Sequence, residues 1–583
     1  MSKSATNYLE GPSERTSDRS VTQSSLAQKS TLLHSLVVVG TLLYLGFFAS
    51  KLGEYWFNPS YTTDDAFQQS FVFHEVKQPG LFARDLIAEH MAAYLPPLHY
   101  SISYLSTWLL GSPILGGHGV MFLQLITATC FITLFIFRAA GVIPACLGTV
   151  WFLHTESVLN RMTGGLPRGW WAPILAATVY FVFQRNDRAV LLVLLVACLL
   201  NPPAALAAGV CYGLFTVYAA WTEGARRGLL HLALLSPFFA LLLYLTTTRS
   251  PTLGHMISHE QAIAMEEFSR KGGRFKFLPF PAPVAELEKH TNQIFVREKG
   301  WPNQPTRQWI FIGTIVTITC LLITSTRRRE LIIPRELLFL FASVIGLYFA
   351  ARFFAFRLYV PERYLLFGLP IFLIPALLVG LSRIGGRQLN YFVLLFLVCV
   401  GTRLEFPRPG HFTVQISEGN SVWKWFATGT PKDSIVAGHP TLLNPIQLLG
   451  ERRGFVTTEA AHPFFDVYYT EIRRRLLVTF EAYYARDTAK FVQLLTSEGI
   501  DYFVFGKKHF SPKELAAANY FRPYGELVKT LAAGTPNDYV YTKITQGNDQ
   551  NVKSYITYEN GELVVIDINA FESACTASGL CTK

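Results

Sequence analysis

Long apolar runs are the feature of this chain that most restricts its fold. The first run, Thr31–Ser50, has about 20 residues, enough to cross roughly 30 Å of hydrocarbon as a helix. A secretory signal peptide has a shorter apolar core close to the N-terminus, whereas a polar lead of about 30 residues precedes this run, which favours a retained anchor. Further runs predict spans at 98–111, 119–137, 142–158, 169–183, 189–200, 204–221, 229–247, 308–325, 336–355, 364–381 and 389–403. The sequence therefore predicts a mainly α, polytopic transmembrane helix bundle.

The composition and the charge pattern agree with this class. Hydrophobic residues make up 50% of the chain and charged residues only 16%, whereas about a quarter of the residues of a soluble protein are charged. The net charge of +11 is concentrated in short arginine clusters between the apolar runs, such as Arg226–Arg227 and Arg327–Arg329. Such clusters mark the cytoplasmic loops of multi-pass proteins. No nucleic-acid partner is expected, because no polar segment carries a basic stripe interleaved with aromatic residues.

The positive-inside bias gives a predicted orientation and a domain division. Residues 1–29 read as a disordered cytoplasmic tail, and residues 30–403 as the polytopic domain of a cell (inner) membrane protein. Within that domain, 51–97 is the first external loop and 248–307 a long external loop. Residues 404–583 are predicted to form an extracytoplasmic α/β domain.

The number of spans stays open at this stage. Twelve runs are counted, but ends on opposite sides of the membrane require an odd number of crossings. We therefore expect about 11–13 spans, with the uncertain crossing between residues 98 and 165.

Alternating strand and helix patterns after Arg403 support the α/β prediction. Buried strands are predicted at Ser434–Ala437, Gly454–Thr458 and Ile500–Phe505, and helices at Ser421–Phe426, Phe465–Tyr484 and Thr488–Glu498. Cys575 and Cys581 lie in the tail, and whether they form a disulfide is left open.

The first external loop carries an acidic pair, Asp64-Asp65, just after the first span. Two carboxylates at this place can accept a proton from a nucleophile or bind a divalent cation. The alternative is that Asp64 caps a helix that begins near Asp65, since Asp is a preferred N-cap residue. Asp85, in the segment Phe82–Asp85 of the same loop, is a further candidate for substrate binding.

Two more candidates lie around the end of the predicted span 142–158. Glu156 is an ionisable group at the end of an apolar run, where charge is costly and often functional; alternatively it reaches interfacial water. The segment Gly164–Arg168 reads as a turn that delivers Arg168 to the mouth of the next span.

Arg352, Arg357 and Arg363 form the third group of candidates. Arg352 lies inside an apolar run, and the other two fall in a predicted external loop, against the positive-inside bias. Guanidinium groups bind phosphate through a planar fork of donors, so an anionic partner such as a lipid phosphate explains them. The alternative is pairing with Glu362 and snorkelling to lipid headgroups.

On three of these motifs the chain resembles the GT-C superfamily of membrane glycosyltransferases, which includes protein mannosyltransferases and aminoarabinose transferases. The resemblance rests on YTTDDAF (Tyr61–Phe67), on Pro96-Pro97-Leu98, and on VPERYLLFGLP (Val360–Pro370). The segment from WKWFATGTPKDSIVAG to IDYFVFG is similar to the extracytoplasmic α/β domain of many members.

The resemblance implies that a polyprenyl-phosphate sugar donor enters from the bilayer and that transfer occurs on the external face. Asp64 or Asp65 would then act as base or bind the acceptor, with Glu156 as a second carboxylate. Arg352, Arg357 and Arg363 would hold the donor phosphate. A neighbouring carboxylate raises the pKa of a base, which is expected here for the acidic pair.

Two departures leave the acceptor and the sugar unknown. The WWDYG-type motif of oligosaccharyltransferases is missing from the C-terminal domain, which speaks against that branch. His99 follows Pro96-Pro97-Leu98 where protein mannosyltransferases have a lysine, so their substrate cannot be carried over. A lipid or polyanion transporter or flippase, and a non-catalytic membrane scaffold with an external binding domain, remain as alternatives. A divalent cation is the one cofactor considered.

Overall fold

The structure is a computed structural model that describes residues 15–247, 253–296, 303–384, 395, 398–399, 414–415, 421–546 and 554–577. The helices before residue 385 are α1 Arg15–Lys51, α2 Gly53–Trp56, α3 Asp64–Gln69, α4 Leu86–Tyr94, α5 Pro97–Leu110, α6 Pro113–Ala140, α7 Val142–His154, α8 Glu156–Met162, α9 Trp171–Phe183, α10 Asp187–Leu200, α11 Pro202–Glu223, α12 Ala225–Thr247, α13 His259–Ala264, α14 Pro283–Phe295, α15 Gln304–Arg328, α16 Arg335–Phe354 and α17 Pro361–Ser382.

Six of the described helical segments are long and apolar enough to cross a membrane: Leu32–Lys51 of α1, α6, α11, α15, the stretch that begins with α16, and α17. Helices α7 and α8 pass the same test as a pair, although a bend of 61° separates them. The chain is thus a multi-pass membrane protein with a predominantly helical fold, and the predicted fold class is confirmed.

The structure has fewer helices that are long enough to cross a membrane than the number of spans predicted, and helix length accounts for most of this difference. Helices α5, α9 and α10 coincide with predicted spans but have 14, 13 and 14 residues, fewer than the ~20 of a straight crossing. Between residues 98 and 165, where the number of crossings was open, the structure has α5, α6 and the bent pair α7–α8. The predicted span 389–403 falls largely outside the described residues.

The N-terminal tail differs from the prediction. Helix α1 begins at Arg15, so residues 15–29 are helical where disorder was expected, and residues 1–14 lie outside the described residues. Residues 15–29 contain neither glycine nor proline. Adding residues to an existing helix is much easier than nucleating a new one, so the first span extends into this polar segment.

Helix α17 lies at the centre of the bundle and packs against α6, α7, α9, α14, α15 and α16. Trp171, the first residue of α9, contacts the rings of Tyr364 and Phe367 on α17, with centroids 5.5 and 5.0 Å apart. These contacts fix the first turn of α17, which carries Arg363, beside the turn that precedes α9.

The C-terminal α/β domain, residues 421–577, is built on a mixed sheet. The strands of the described residues are, in chain order, β1 Tyr61–Thr62, β2 Val414–Gln415, β3 Ile435–Gly438, β4 Arg453–Gly454, β5 Tyr502–Gly506, β6 Ile556–Glu559 and β7 Leu563–Asp567, of which β3 to β7 belong to this domain. The sheet has the order β4-β3-β5-β7-β6; β3 runs parallel to β4 and β5, and β7 antiparallel to β5 and β6. The helices of this domain are Ser421–Gly429, Ile446–Leu449, Asp466–Tyr483, Thr488–Ser497, Pro512–Ala516, Tyr524–Ala532, Val540–Gln546 and Ile568–Ala577.

Most predicted elements of this domain are confirmed. The strands near 434–437 and 500–505 and the three predicted helices are present, while the predicted strand 454–458 is reduced to the two-residue β4. The β6–β7 hairpin was not predicted. Cys575 is disulfide-bonded, and Cys581 lies outside the described residues.

The first loop packs as part of the C-terminal domain. Phe67, Phe71 and Met91 share one hydrophobic core with Tyr468 and Phe503, and β1 pairs antiparallel with β2. The loop is rich in aromatic residues that have no core of their own, so burial against the sheet domain removes them from water. The division of the chain at residue 404 therefore describes the sequence order and not the packing.

The long loop also bridges the two parts of the molecule. Glu267 accepts two hydrogen bonds from Arg473, at 2.7 and 3.0 Å, and the Phe268 ring packs edge to face against Phe464 with centroids 5.5 Å apart. Helix α14, at the other end of the loop, packs on α8, α15 and α17. The loop thus joins the sheet domain to the membrane helices.

Candidate functional site

The turn between α8 and α9 brings Arg168 to the start of α3. Gly164 and Gly165 in this turn have φ angles of 81° and 65°, which favour glycine. A Cβ on Gly164 would lie 2.7 Å from Cγ2 of Thr63, and a Cβ on Gly165 would collide with the carbonyl of Gly117. The two glycines therefore allow the turn to pack directly against the residue that precedes α3.

Asp65 and Arg168 meet in an ion pair at this contact. Oδ2 of Asp65 bonds Nη1 of Arg168, and the two side chains are 28% and 16% exposed. Arg363 from α17 and Arg161 from α8 also act electrostatically on the same carboxylate. The structure thus brings together Asp65, Arg168 and Arg363, three of the residues singled out in the sequence.

The pKa of Asp65 is lowered, and the expectation that the acidic pair raises it is wrong. Burial alone would raise this pKa, but the charge and the hydrogen bond of Arg168, with smaller contributions from Arg363 and Arg161, outweigh burial. Asp65 is therefore a carboxylate that keeps its negative charge at neutral pH.

Asp64 differs from Asp65 in its surroundings. It is exposed, and its Oδ1 accepts hydrogen bonds from the Asp65 N–H at 2.9 Å and from the Thr63 hydroxyl at 3.0 Å. Thr63 occupies the N-cap position of α3 and Asp64 is the first helical residue. Asp64 therefore stabilises the start of the helix from within its first turn rather than as the N-cap.

Three residues that the sequence analysis did not single out complete what we call the Asp65 site: Gln68, Arg274 and Glu459, together with Asp65 and Arg168. Nε2 of Gln68 donates to Oδ1 of Asp65 at 3.3 Å and to Oε2 of Glu459 at 3.4 Å. Arg274 of the long loop bonds Oε2 of Glu459 at 3.0 Å. The first loop, the long loop, the C-terminal domain and the turn before α9 therefore all contribute to one site.

The second carboxylate of the site has the opposite electrostatic surroundings. Burial raises the pKa of Glu459, Arg274 lowers it, and the negative charges of Asp65 and Asp64 raise it further, so that the net direction is upward. The site thus holds one carboxylate that is easily ionised and a neighbouring one that binds a proton more readily.

Arg363 is the unpaired cation next to the site. Within the described residues its guanidinium makes no hydrogen bond or ion pair, although it acts on the carboxylates of Asp65 and Glu362. The segment before it is strained: Tyr359 has φ 79° and ψ 179°, a region that is nearly restricted to glycine. Such strain is retained where the surrounding structure requires it, often at functional sites.

The other two candidate arginines lie elsewhere. Arg352 donates to the Pro281 carbonyl at 2.9 Å, to Oη of Tyr348 at 3.0 Å and to Oε2 of Glu286 at 3.3 Å. Arg357 is exposed and makes no hydrogen bond or ion pair to any described residue. The structure therefore does not bring Arg352 to the acidic pair, because its donors are used by Glu286 and its neighbours.

Asp85 and Glu156 also lie apart from Asp65. Asp85 is buried as the N-cap of α4, where it accepts from the Ile87 N–H at 3.1 Å and from Nε2 of Gln447 at 2.8 Å. Burial raises the pKa of Asp85 to about 6. Glu156 is buried at the first position of α8, directly after the bend. Asp85 therefore ties the first loop to the C-terminal domain, and a role of either residue in catalysis or substrate binding stays a prediction.

The carboxylates of the site do not fit a metal centre. Among the described residues, no group of three or more His, Cys, Asp or Glu side chains is arranged to hold a metal ion. Oδ2 of Asp65 is bonded by Arg168, and Oδ1 of Asp64 by two local donors. The cation considered from the sequence therefore has no preformed set of ligands in this part of the chain.

No protein-family model matches the chain, and no curated protein matches it. Among solved structures, the chain is similar to the oligosaccharyltransferase of Archaeoglobus fulgidus with zinc and sulfate, at a TM-score of 0.47, 10% identity and coverage of 84% of this chain and 70% of that chain. It is also similar to archaeal oligosaccharyltransferase AglB from the same organism, in complex with an inhibitory peptide and a dolichol-phosphate, at a TM-score of 0.47, 11% identity and coverage of 85% and 72%.

Proposed function

We propose that the chain is a membrane glycosyltransferase that moves a sugar from a polyprenyl-phosphate donor to an acceptor on the extracytoplasmic face. The observation that carries this proposal is the Asp65 site with the neighbouring Arg363: a charged carboxylate lies near a guanidinium that has no bonding partner among the described residues, where the membrane helices meet the C-terminal domain. Both a carboxylate for the acceptor and a cation for phosphate are needed for this reaction.

The donor requires little covalent chemistry from the protein. Its sugar is already activated by the phosphate, so catalysis depends on positioning and on stabilising the charge of the phosphate that leaves. Arg363 has its donors available and comes from α17, a helix long and apolar enough to span the membrane. A lipid phosphate at the membrane surface lies within reach of such a residue, whereas Arg352 is already bonded to Glu286.

Asp65 acts on the acceptor as a permanent negative charge. Because its pKa is lowered, it is a weak base at neutral pH and a good hydrogen-bond acceptor for a hydroxyl group. Its role in this proposal is therefore to orient the acceptor beside the donor, with Arg168 holding the carboxylate in place.

The proposed orientation rests on the arginines at the two ends of the long helices. Helix α15 ends at Arg328 and α17 is followed by Arg383, and Nη1 of Arg328 donates to the Arg383 carbonyl at 3.4 Å. Arg363 lies at the opposite end of α17. If arginine-rich loops face the cytoplasm, the Asp65 site and the C-terminal domain are extracytoplasmic and the N-terminus is cytoplasmic.

Lipid analysis and two single variants test the proposal. Mass spectrometry of lipids that co-purify with the protein should find a polyprenyl phosphate or its glycoside. Purified protein in lipid nanodiscs, supplied with a panel of synthetic undecaprenyl-phosphate monosaccharides and an envelope extract as acceptor, should release undecaprenyl phosphate. We expect Asp65→Asn to slow this release at least about 100-fold, because a preorganised charge in an active site contributes on this scale.

Asp64→Asn is the matched control, since Asp64 is the adjacent carboxylate and is exposed. It should fold normally and keep most of the activity. Full activity in both single variants and in the double variant would remove the catalytic role of the acidic pair, whereas no release by the wild type from any donor would overturn the enzyme proposal.

A further inference from the structure

Glu459 reaches the Asp65 site from the carboxyl-terminal edge of the sheet. It lies shortly after β4, in a loop held by hydrogen bonds from the Thr458 N–H to the Pro440 carbonyl at 3.1 Å and from the Glu459 N–H to Oδ1 of Asn444 at 3.1 Å. This edge, where β3 runs parallel to strands on both sides, is the usual place for ligands in open α/β sheets. The domain thus presents this edge to the first loop and to the long loop, through Gln68 and Arg274.

The contacts of Glu459 leave one of its oxygens available. Both Arg274 and Gln68 bond Oε2, and within the described residues Oε1 has no hydrogen bond. The side chain is 15% exposed, and Oε1 is not among the fully buried atoms that lack a partner. A carboxylate fixed at one oxygen and open at the other is suited to receive a proton.

Gln68 supplies a second, independent sign of a ligand. It is 6% exposed, and its amide nitrogen bonds both Asp65 and Glu459, which fixes which end of the amide is nitrogen. Its Oε1 is buried and has no hydrogen-bond partner among the described residues. A buried acceptor without a partner is costly, and an O–H or N–H donor of a bound molecule would satisfy it.

We propose that Glu459 and Gln68 form the acceptor subsite of the transferase, and that Glu459 is the catalytic base. The inference rests on the proposed function and assigns the proton transfer to the C-terminal domain instead of the first loop. The acceptor hydroxyl oxygen forms a bond to the anomeric carbon of the sugar, and the bond from that carbon to the phosphate oxygen breaks. The electron pair leaves with the polyprenyl phosphate, and the acceptor proton moves to Oε1 of Glu459.

The electrostatics of the two carboxylates agree with this division of roles. The groups that act on Glu459 are Arg274, Asp65 and Asp64, and the Tyr520 hydroxyl lies alongside. Burial and the negative charges of Asp65 and Asp64 raise the pKa of Glu459 and outweigh Arg274, which lowers it, whereas Arg168 lowers the pKa of Asp65. Two carboxyl groups whose pKa values are pushed apart are the usual arrangement for dividing an acid–base role from a charge role.

Three variants and a pH profile test the inference with the full-length protein in nanodiscs and the undecaprenyl-phosphate sugar panel. Glu459→Gln should lower turnover at pH 7 by about 100-fold or more, the usual contribution of a general base. Wild-type activity should fall as the pH drops through the pKa of Glu459, and this acidic limb should be absent from the residual activity of the variant. Glu459→Asp should restore part of the rate and the limb.

The matched control is Glu451→Gln. Glu451 lies in the same domain and accepts from Nε2 of Gln78 in the first loop at 2.6 Å, as Glu459 does from Gln68, but it makes no contact with Asp65, Arg168 or Arg274. This variant should stay within about twofold of the wild type, since this half-buried contact lies outside the Asp65 site.

Gln68→Leu gives a second test that does not depend on Glu459. The KM for the acceptor should rise at least about tenfold, because a hydrogen bond to the bound acceptor is lost.

The outcomes separate the two proposals. Release of undecaprenyl phosphate by the wild type, with unchanged rate and pH profile in Glu459→Gln, would overturn the role of Glu459 and leave the transferase intact. No release by the wild type from any donor in the panel would overturn both. If Glu459→Gln fails to fold, a wild-type KM in Gln68→Leu overturns the subsite and a raised KM supports it.

Discussion

Two carboxylate–arginine clusters in this structure differ in how completely their buried polar atoms are bonded. In the first, which we call the Glu286 cluster, Tyr348 donates to Oε2 of Glu286 at 2.5 Å, and Arg352 donates to both of them and to the Pro281 carbonyl. The guanidinium also lies over the Phe280 ring, 5.2 Å from its centroid. None of the side chains of Glu286, Tyr348 and Arg352 has a buried polar atom without a partner among the described residues.

The Asp65 site uses the same kinds of residue and is left incomplete. Oε1 of Gln68 and Nε of Arg168 are buried without a partner among the described residues, and the neighbouring Arg363 is unpaired there. An unsatisfied buried polar atom lowers stability, and a group of the bound substrate is one partner that would satisfy it. Under the proposed function, the Glu286 cluster contributes to stability and the Asp65 site to binding and catalysis.

Removal of Arg168 should have the largest effect on transfer activity of all the variants that compare the two clusters. We expect Arg168→Met to lower transfer by about 100- to 1,000-fold, because the carboxylate that orients the acceptor loses its positioning partner. The pKa of Asp65 should rise toward its ordinary value, since Arg168 supplies the main lowering interaction. Release of undecaprenyl phosphate as a function of pH measures both effects, and wild-type kinetics in this variant would contradict the assignment.

Removal of Arg352 should give the reverse result. Arg352→Met leaves the carboxylate of Glu286 buried without its cation, and breaking a buried ion pair typically costs 3–5 kcal/mol. Because Arg352 is 20% exposed, we expect a loss of about 2–3 kcal/mol in the free energy of unfolding, with transfer per folded molecule unchanged. Thermal unfolding in nanodiscs checks the first part. A large loss of transfer at unchanged stability would instead place Arg352 in the donor site, as the sequence analysis expected.

The residues of the Asp65 site differ in whether the sequence alone could identify them. Asp65, Arg168 and Arg363 could be singled out because each is a charged residue beside an apolar run. Gln68 and Glu459 are 391 positions apart and neither has a distinctive local pattern, so only the folded chain shows that they meet. The lowered pKa of Asp65 was missed for the same reason, because Arg168 comes from a turn that follows three further predicted spans.

The fold shows a similar division between local and long-range information. The strand in IDYFVF was predicted because a short apolar run records burial directly in the sequence. The docking of the first loop on the sheet domain was not predicted, because the spacing of apolar residues in that loop does not indicate which part of the chain they pack against. Arg352 likewise gave a signal for an anion, but its partner Glu286 lies on α14 of the long loop, far away in the sequence.

Asp85 is a third case, a buried carboxylate that accepts hydrogen bonds at both oxygens but forms no ion pair. Its pKa in the folded protein is about 6, above the ordinary value of 3.8, so the folded state binds the proton before the unfolded state does as the pH falls. Folding is therefore increasingly favoured as the pH falls from about 7 towards about 4, and the full gain is reached below the unfolded pKa. Between pH 7 and pH 5 the gain amounts to about 1 kcal/mol.

Asp85→Asn should remove this pH-dependent part of the stability, since the amide does not titrate and its oxygen can still accept from the Ile87 N–H. The difference in unfolding temperature between wild type and variant should change by a few degrees between pH 7 and pH 5, in favour of the wild type at the lower pH. A difference that is constant over this range would mean that Asp85 keeps its charge, held by Arg475 and Arg453, whose charges lower its pKa. In that case, complete hydrogen bonding would not by itself show that a carboxylate of this protein is structural. The contrast between the two clusters would then rest on the atoms of the Asp65 site that have no bonding partner among the described residues.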